Sequence, residues 1–79
     1  MIKRKNGKIE LSERAEKAYN AMSMAESVNF MNKIKLYFRA LDECEKTESM
    51  ALAQIYEHAM DSLFRDIDEM IDIYAHTAE

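Results

Sequence analysis

The sequence has no proline, no tryptophan, a single glycine and a single cysteine. β-Sandwiches and barrels need many turns, and turns depend on proline and glycine, so an all-β fold is excluded. The lone Cys44 has no partner for an internal disulfide, and early glutamates interrupt any apolar leader. The longest stretches without a charged residue, 18–25 and 49–56, are far shorter than the roughly 20 apolar residues of a membrane helix. We therefore expect a soluble, cytoplasmic and mainly helical protein.

The composition is 48% hydrophobic and 33% charged over 79 residues. This content of apolar residues is too high for a disordered chain, and the length suits one small domain spanning residues 1–79. The net charge of −4 is unevenly divided, because residues 1–40 carry +5 and residues 41–79 carry −9. A chain that folds back on itself, or that pairs antiparallel with a copy, would bring these opposite charges together.

Residues 1–11 contain Asn6-Gly7 between two short alternating segments, which is the strongest local signal for a β-hairpin. A two-residue turn there would pair Arg4 with Ile9 and Ile2 with Leu11. So short a hairpin is marginal unless it packs on something. A disordered basic arm is therefore the equal alternative for this segment.

Two serines predict helix starts. Ser12 can cap a first helix over residues 12–22, and Ser23 with Glu26 fits a capping box that begins a second helix over residues 23–45. Nothing between the two helices forbids a single continuous helix, which stays open as an alternative.

The second helix carries an apolar seam that stops at residues 45–48 and resumes one residue out of phase. This slip predicts a turn, with Thr47 as the cap of a third helix over residues 47–77. The seam of the second helix consists of Met24, Met31, Ile34, Phe38 and Leu41. That of the third consists of Ala53, Tyr56, Met60, Leu63, Ile67, Met70 and Tyr74, flanked by Met50, Phe64, Ile71 and Ala78 on one side and by Leu52, Ala59 and Ile73 on the other.

The expected fold is all-α, either a small antiparallel helical hairpin or a three-helix bundle with a short first helix and two longer ones. Folding at about residue 46 brings Lys33 toward Asp61 and Lys35 toward Glu57. A core of this size gives little stability on its own. We therefore expect a homodimer of two hairpins first, with a three-helix monomer as the alternative.

No pattern in the sequence carries catalytic chemistry. The chain lacks Glu-x-x-His, His-Glu-x-x-His and a glycine-rich phosphate loop. Cys44 and His58 should lie too far apart along the hairpin to activate each other, and both histidines, His58 and His76, should be exposed. We expect no enzyme, no catalytic residue, no metal and no cofactor.

The leading hypothesis is a non-enzymatic interaction module that binds a protein partner through exposed helix faces. An acidic face on the third helix would steer association with a basic partner, and Leu36 is the apolar residue that the hairpin leaves outside. A specific form is an inhibitor or regulator of phage or plasmid type. The candidate partner-binding residues are Asp61, Asp66, Asp68, Glu69, Asp72 and Leu36.

The alternative hypothesis is a nucleic-acid-associated regulator that uses the basic N-terminal arm. Its four cations could make a few phosphate contacts with a steep salt dependence. No aromatic residue among them offers stacking on bases, and the acidic body would oppose a duplex. The candidate nucleic-acid-binding residues are Lys3, Arg4, Lys5 and Lys8.

Overall fold

A computed structural model describes residues 2–78 of the chain. Two short strands come first, followed by three helices. They are β1 (Ile2–Lys5), β2 (Lys8–Leu11), α1 (Glu13–Ala21), α2 (Met24–Lys46) and α3 (Met50–Ala78). The expected all-α bundle is confirmed, in the three-helix form and with an N-terminal β-hairpin.

The two strands form an antiparallel hairpin around Asn6-Gly7. Both turn residues have positive φ, 53° and 76°, which is the backbone of a tight two-residue hairpin turn. The register pairs Ile2 with Leu11 and Arg4 with Ile9, as the sequence predicts. The hairpin alternative is therefore the observed one over residues 2–11, and its apolar side chains Ile2, Ile9 and Leu11 pack against the core.

Serine caps begin the first two helices. The Ser12 hydroxyl accepts a hydrogen bond from the Ala15 amide at 3.2 Å. Ser23 and Glu26 form the reciprocal capping box, with bonds of 3.1 and 3.2 Å. Because Met22 and Ser23 both have extended backbone, α1 and α2 are separate helices, and the continuous-helix alternative is wrong.

The turn between α2 and α3 lies later than the sequence predicts. Thr47 caps the end of α2, because its amide donates to the Glu43 carbonyl oxygen. Ser49 caps α3 instead, with its hydroxyl accepting from the Leu52 amide at 3.3 Å. The assignment of Thr47 as the cap of the third helix is wrong, since its hydroxyl accepts from the Ser49 amide within the turn.

This later turn changes how α2 and α3 face each other. Lys33 Nζ lies 3.1 Å from Asp66 Oδ2, so its ion pair forms with Asp66 and not with the predicted Asp61. The Tyr37 ring lies beside Phe64, with centroids 6.1 Å apart. Because α3 begins at Met50, its contacts with α2 fall further along its length than a turn at residue 46 would place them.

The core lies at one end of the molecule. All three helices contribute to it, and Tyr19 of α1 packs beside Phe30 of α2 with ring centroids 6.3 Å apart. Met24, which the sequence assigns to the seam, is 84% exposed because the seam of α2 begins only at Phe30. The buried residues are Ala15, Ala18, Phe30, Ile34, Phe38, Ile67, Ile71 and Ala75.

Beyond that core, α2 and α3 continue together as a two-helix extension, which we call the distal arm (residues 39–63). No residue of this arm is buried. The molecule is accordingly elongated, with a longest extent of 44 Å. The fold thus places a compact three-helix end beside an arm in which every apolar side chain keeps part of its surface exposed.

Candidate functional site

The hairpin is held on α2 by Arg4. Its guanidinium donates two hydrogen bonds to the Asp42 carboxylate, at 2.6 and 2.7 Å, and lies 5.0 Å from the centre of the Phe38 ring. The hydrogen bonds between the two groups raise the pKa of Arg4 and lower the pKa of Asp42. Of the four predicted phosphate contacts, Arg4 is therefore engaged within the chain.

The other three cations of the hairpin remain on its open side. Side chains alternate along a strand, so Lys3 and Lys5 point away from the face that carries Ile2 and Arg4. Lys3 lies opposite Glu10 in the register, and Lys5 lies opposite Lys8. Lys3, Lys5 and Lys8 are all exposed, and none forms an ion pair within residues 2–78.

Two of the predicted acidic partner residues are engaged in ion pairs inside the chain. Asp66 accepts from Lys33, and Asp72 lies 2.6 Å from the Arg14 guanidinium of α1. Over the described range, the remaining three, Asp61, Asp68 and Glu69, form no ion pair. Part of the acidic face therefore holds α1 and α2 against α3. Fewer of its carboxylates are left unpaired than the sequence suggests.

Leu36 does not join that acidic face. It lines an open groove of about 520 Å³ between α2 and α3, at the core-side end of the distal arm. Leu36 and Ala40 each stand two residues from Phe38, so their side chains point about 160° away from the hairpin-covered side of α2. The groove is lined by Leu36, Arg39, Ala40, Glu43, Tyr56, Ala59 and Leu63.

The chemistry of this groove is an apolar floor with one charged rim. Ala40 and Ala59 are small, which keeps the floor open, and Leu36 is 51% exposed beside them. Arg39 and Glu43 stand one helical turn apart on the α2 rim. Both are exposed, and neither forms an ion pair within the described residues. Such a surface can receive an amphipathic helix.

Sequence reasoning identified only Leu36 of these groove residues. Its signal was an apolar side chain that the hairpin pattern could not bury. Arg39 and Glu43 carried no signal, because single surface charges on a helix are ordinary. Ala40 and Ala59 resemble any other helix-forming alanines until the two helices are placed side by side.

The described part of the chain offers little for other site chemistry. Within residues 2–78, no group of three or more His, Cys, Asp or Glu side chains could hold a metal ion. The Cys44 thiol lies 3.8 Å from the Ala53 carbonyl oxygen, between the ends of α2 and α3. His58 and His76 are both exposed, as predicted. The groove is the apolar depression that the packing of α2 beside α3 creates.

Comparison with known proteins identifies no relative. No family model, curated protein or solved structure matches the chain. Over residues 2–78, none of the helices combines the length and the apolar character needed to cross a membrane. The groove and the charged surfaces around it are therefore the basis for assigning a function.

Proposed function

We propose that the protein is a non-enzymatic interaction module that binds a helix of a protein partner in the groove of its distal arm. The observation that carries this proposal is the open, largely apolar groove between two helices that have no buried residue along the arm. A third helix packed there would cover side chains that the chain alone leaves exposed, as in other helix-in-groove complexes.

The exposed side chains around the groove support this reading. Leu52 is 46% exposed and Ile55 is 61% exposed, and each stands one helical turn before a residue that lines the groove. Apolar side chains gathered around a depression with charges at its rim are typical of a binding surface, whereas single scattered ones are not. A partner helix with an apolar stripe would bury Leu36, Ala59 and Leu63 together.

We include regulation or inhibition of the partner in the proposal, because a chain bound to a surface of the partner would block other contacts made there. The unpaired acidic residues Asp61, Asp68 and Glu69 would add long-range attraction toward a basic partner. They would change the rate of encounter more than the final affinity, while the groove supplies the short-range contacts.

Site-specific photo-cross-linking tests the groove directly. A photoreactive amino acid at Leu36 should cross-link a protein chain in cells that naturally make the protein. The same group at Ile73 is the control, because Ile73 is 55% exposed and lies at the core end of α3. Cross-linking at both positions equally, or at neither, would contradict a groove-specific function.

A second pair of variants distinguishes specific binding in the groove from nonspecific association. Ala59→Arg places a long charged side chain at an exposed position of the groove and should abolish the Leu36 cross-link without unfolding the arm. Gln54→Arg adds the same charge at an exposed position on another face of α3 and should leave the cross-link intact. Loss of the cross-link in both variants would indicate a nonspecific charge effect.

The exposed lysines of the hairpin support a second candidate function. We propose phosphate contact by Lys3, Lys5 and Lys8, which share the side of the hairpin away from the core. Three phosphate contacts correspond to a salt slope of about −2.7 for duplex DNA. Replacing the three lysines with alanine should remove duplex or RNA binding at low salt. If the unmodified protein binds no nucleic acid there, this candidate is eliminated.

A further inference from the structure

We propose that the helix occupying the groove is α2 of a second copy of this chain, packed antiparallel across a two-fold axis. This inference rests on the proposed function, because it names the partner of the same groove. A two-fold interface uses one surface patch on both copies, so the patch must complement itself. Three features of the distal arm meet that condition.

The first feature is the charge pattern on the α2 rim. Arg39 and Glu43 are four residues apart, exposed, and without an ion-pair partner within residues 2–78. When two α2 helices run antiparallel about an axis level with Leu41, Arg39 of each copy faces Glu43 of the other. In this arrangement all four side chains, two from each copy, therefore have a partner of opposite charge. A parallel pairing would place like charges opposite each other.

The second feature is the shape of the floor. Ala40 lies beside Arg39 and close to the level of the axis, and it lines the groove together with Ala59 of α3. Alanines at this level allow two helices to approach closely. Leu36, half exposed in the single chain, is then covered by the opposite copy.

The third feature is the distribution of buried residues. Every fully buried side chain of residues 2–78 lies outside the distal arm, on the core side of Arg39 or Leu63. Two distal arms packed together form a four-helix arrangement with a buried interior. The arm of a single chain has no such interior. The hairpin stays outside this interface, because Arg4 holds it on the Phe38 and Asp42 side of α2, and α1 stays outside because it packs on the core end of α3.

Sedimentation velocity with charge variants tests the inference. The purified wild-type protein should be a dimer across micromolar concentrations. R39E makes position 39 acidic beside Glu43, and E43R makes position 43 basic beside Arg39, so each variant alone faces like charges across the axis. Each should weaken dimerisation by at least about tenfold. The double variant R39E/E43R should restore it.

The most selective measurement mixes the two single variants. In a mixed dimer of R39E with E43R, every acidic position faces a basic one, so the mixture should form a heterodimer more tightly than either variant forms a homodimer. Arg65→Glu and Glu57→Arg make the same charge changes at exposed α3 positions that do not line the groove. Neither control should change wild-type dimerisation, and circular dichroism should show each variant to be fully helical.

The outcomes distinguish this inference from the proposed function. A monomeric wild-type protein, or a dimer that R39E leaves unchanged, overturns the proposed antiparallel dimer. If a monomer still gives a Leu36 cross-link to a different protein, the groove function survives and its occupant is that protein. If a monomer gives no cross-link at Leu36, both proposals fall. A dimer that cross-links to itself at Leu36, with a heterodimer in the mixture, supports both.

Discussion

Replacing Ile71 with alanine should destabilise the protein far more than replacing Ile73, although the two residues stand on the same helix. Ile71 is fully buried among side chains of the core, whereas Ile73 is 55% exposed. Truncating a buried isoleucine removes apolar contacts and leaves a cavity, at a cost of about 2–5 kcal/mol. Truncating a side chain that is half in water should cost about 0.5 kcal/mol.

The scale of this difference is set by the small size of the chain. At roughly 0.05–0.15 kcal/mol per residue, a domain of this length has a total unfolding free energy of about 4–12 kcal/mol. A loss near the middle of the Ile71→Ala range, about 3 kcal/mol, should lower Tm by about 12–24 °C. The matching Ile73→Ala variant should shift Tm by only about 2–4 °C.

Thermal and urea unfolding followed by far-ultraviolet circular dichroism measure both variants. They should be compared at one protein concentration, because the proposed dimer would make Tm depend on concentration. Equal shifts for the two variants would refute the burial of Ile71 in the core. They would mean that α1 and α2 do not cover the Ile71 side of α3 in solution.

Three further substitutions test the hairpin turn, the capping box of α2 and the ion pair of Asp42. Gly7→Ala should destabilise the hairpin by about 1 kcal/mol, because φ at this position is 76°. No atom lies within 4 Å of the added carbon, so the cost comes from the backbone and not from a clash. Unchanged hairpin chemical shifts in this variant would contradict the turn. Ser23→Ala should cost about 1 kcal/mol through loss of the capping box, and a urea midpoint equal to that of the wild type would show that the box is not formed. The lowered pKa of Asp42 means that its ion pair contributes fully above about pH 4 and is lost as pH falls through the folded value. Acid should therefore shift the hairpin resonances of the wild type, and Asp42→Asn should remove that titration; a variant that titrates identically would assign it to another group.

The features that the sequence predicted correctly depend on residues within a few positions of each other. Asn6-Gly7 sets the turn through its own backbone, and Ser23 and Glu26 satisfy each other's amides across one helical turn. Such interactions need no knowledge of the remaining chain. The hairpin register and the separation of α1 from α2 were predictable for that reason.

The features that the sequence did not predict depend on distant partners. Ile71 and Ile73 looked equivalent as flanks of a wide apolar face, and only the packing of α1 and α2 on α3 buries the first and leaves the second exposed. Arg4 looked like a free phosphate contact because its partner Asp42 is 38 residues away. The groove residues were hidden for the same reason, since Arg39 and Tyr56 become neighbours only when α2 and α3 are placed together.

The distal arm should be fully formed before anything binds to it. Starting a helix is costly, but extending one adds a hydrogen bond for each residue fixed. Both helices of the arm are continuous with helices anchored in the core at Phe38 and Ile67, so the arm needs only extension. A partner that binds the groove therefore meets a prearranged surface and loses little affinity to ordering of the arm. For the same reason, binding should leave the helical content of this chain unchanged, which separates docking on a preformed arm from folding on binding.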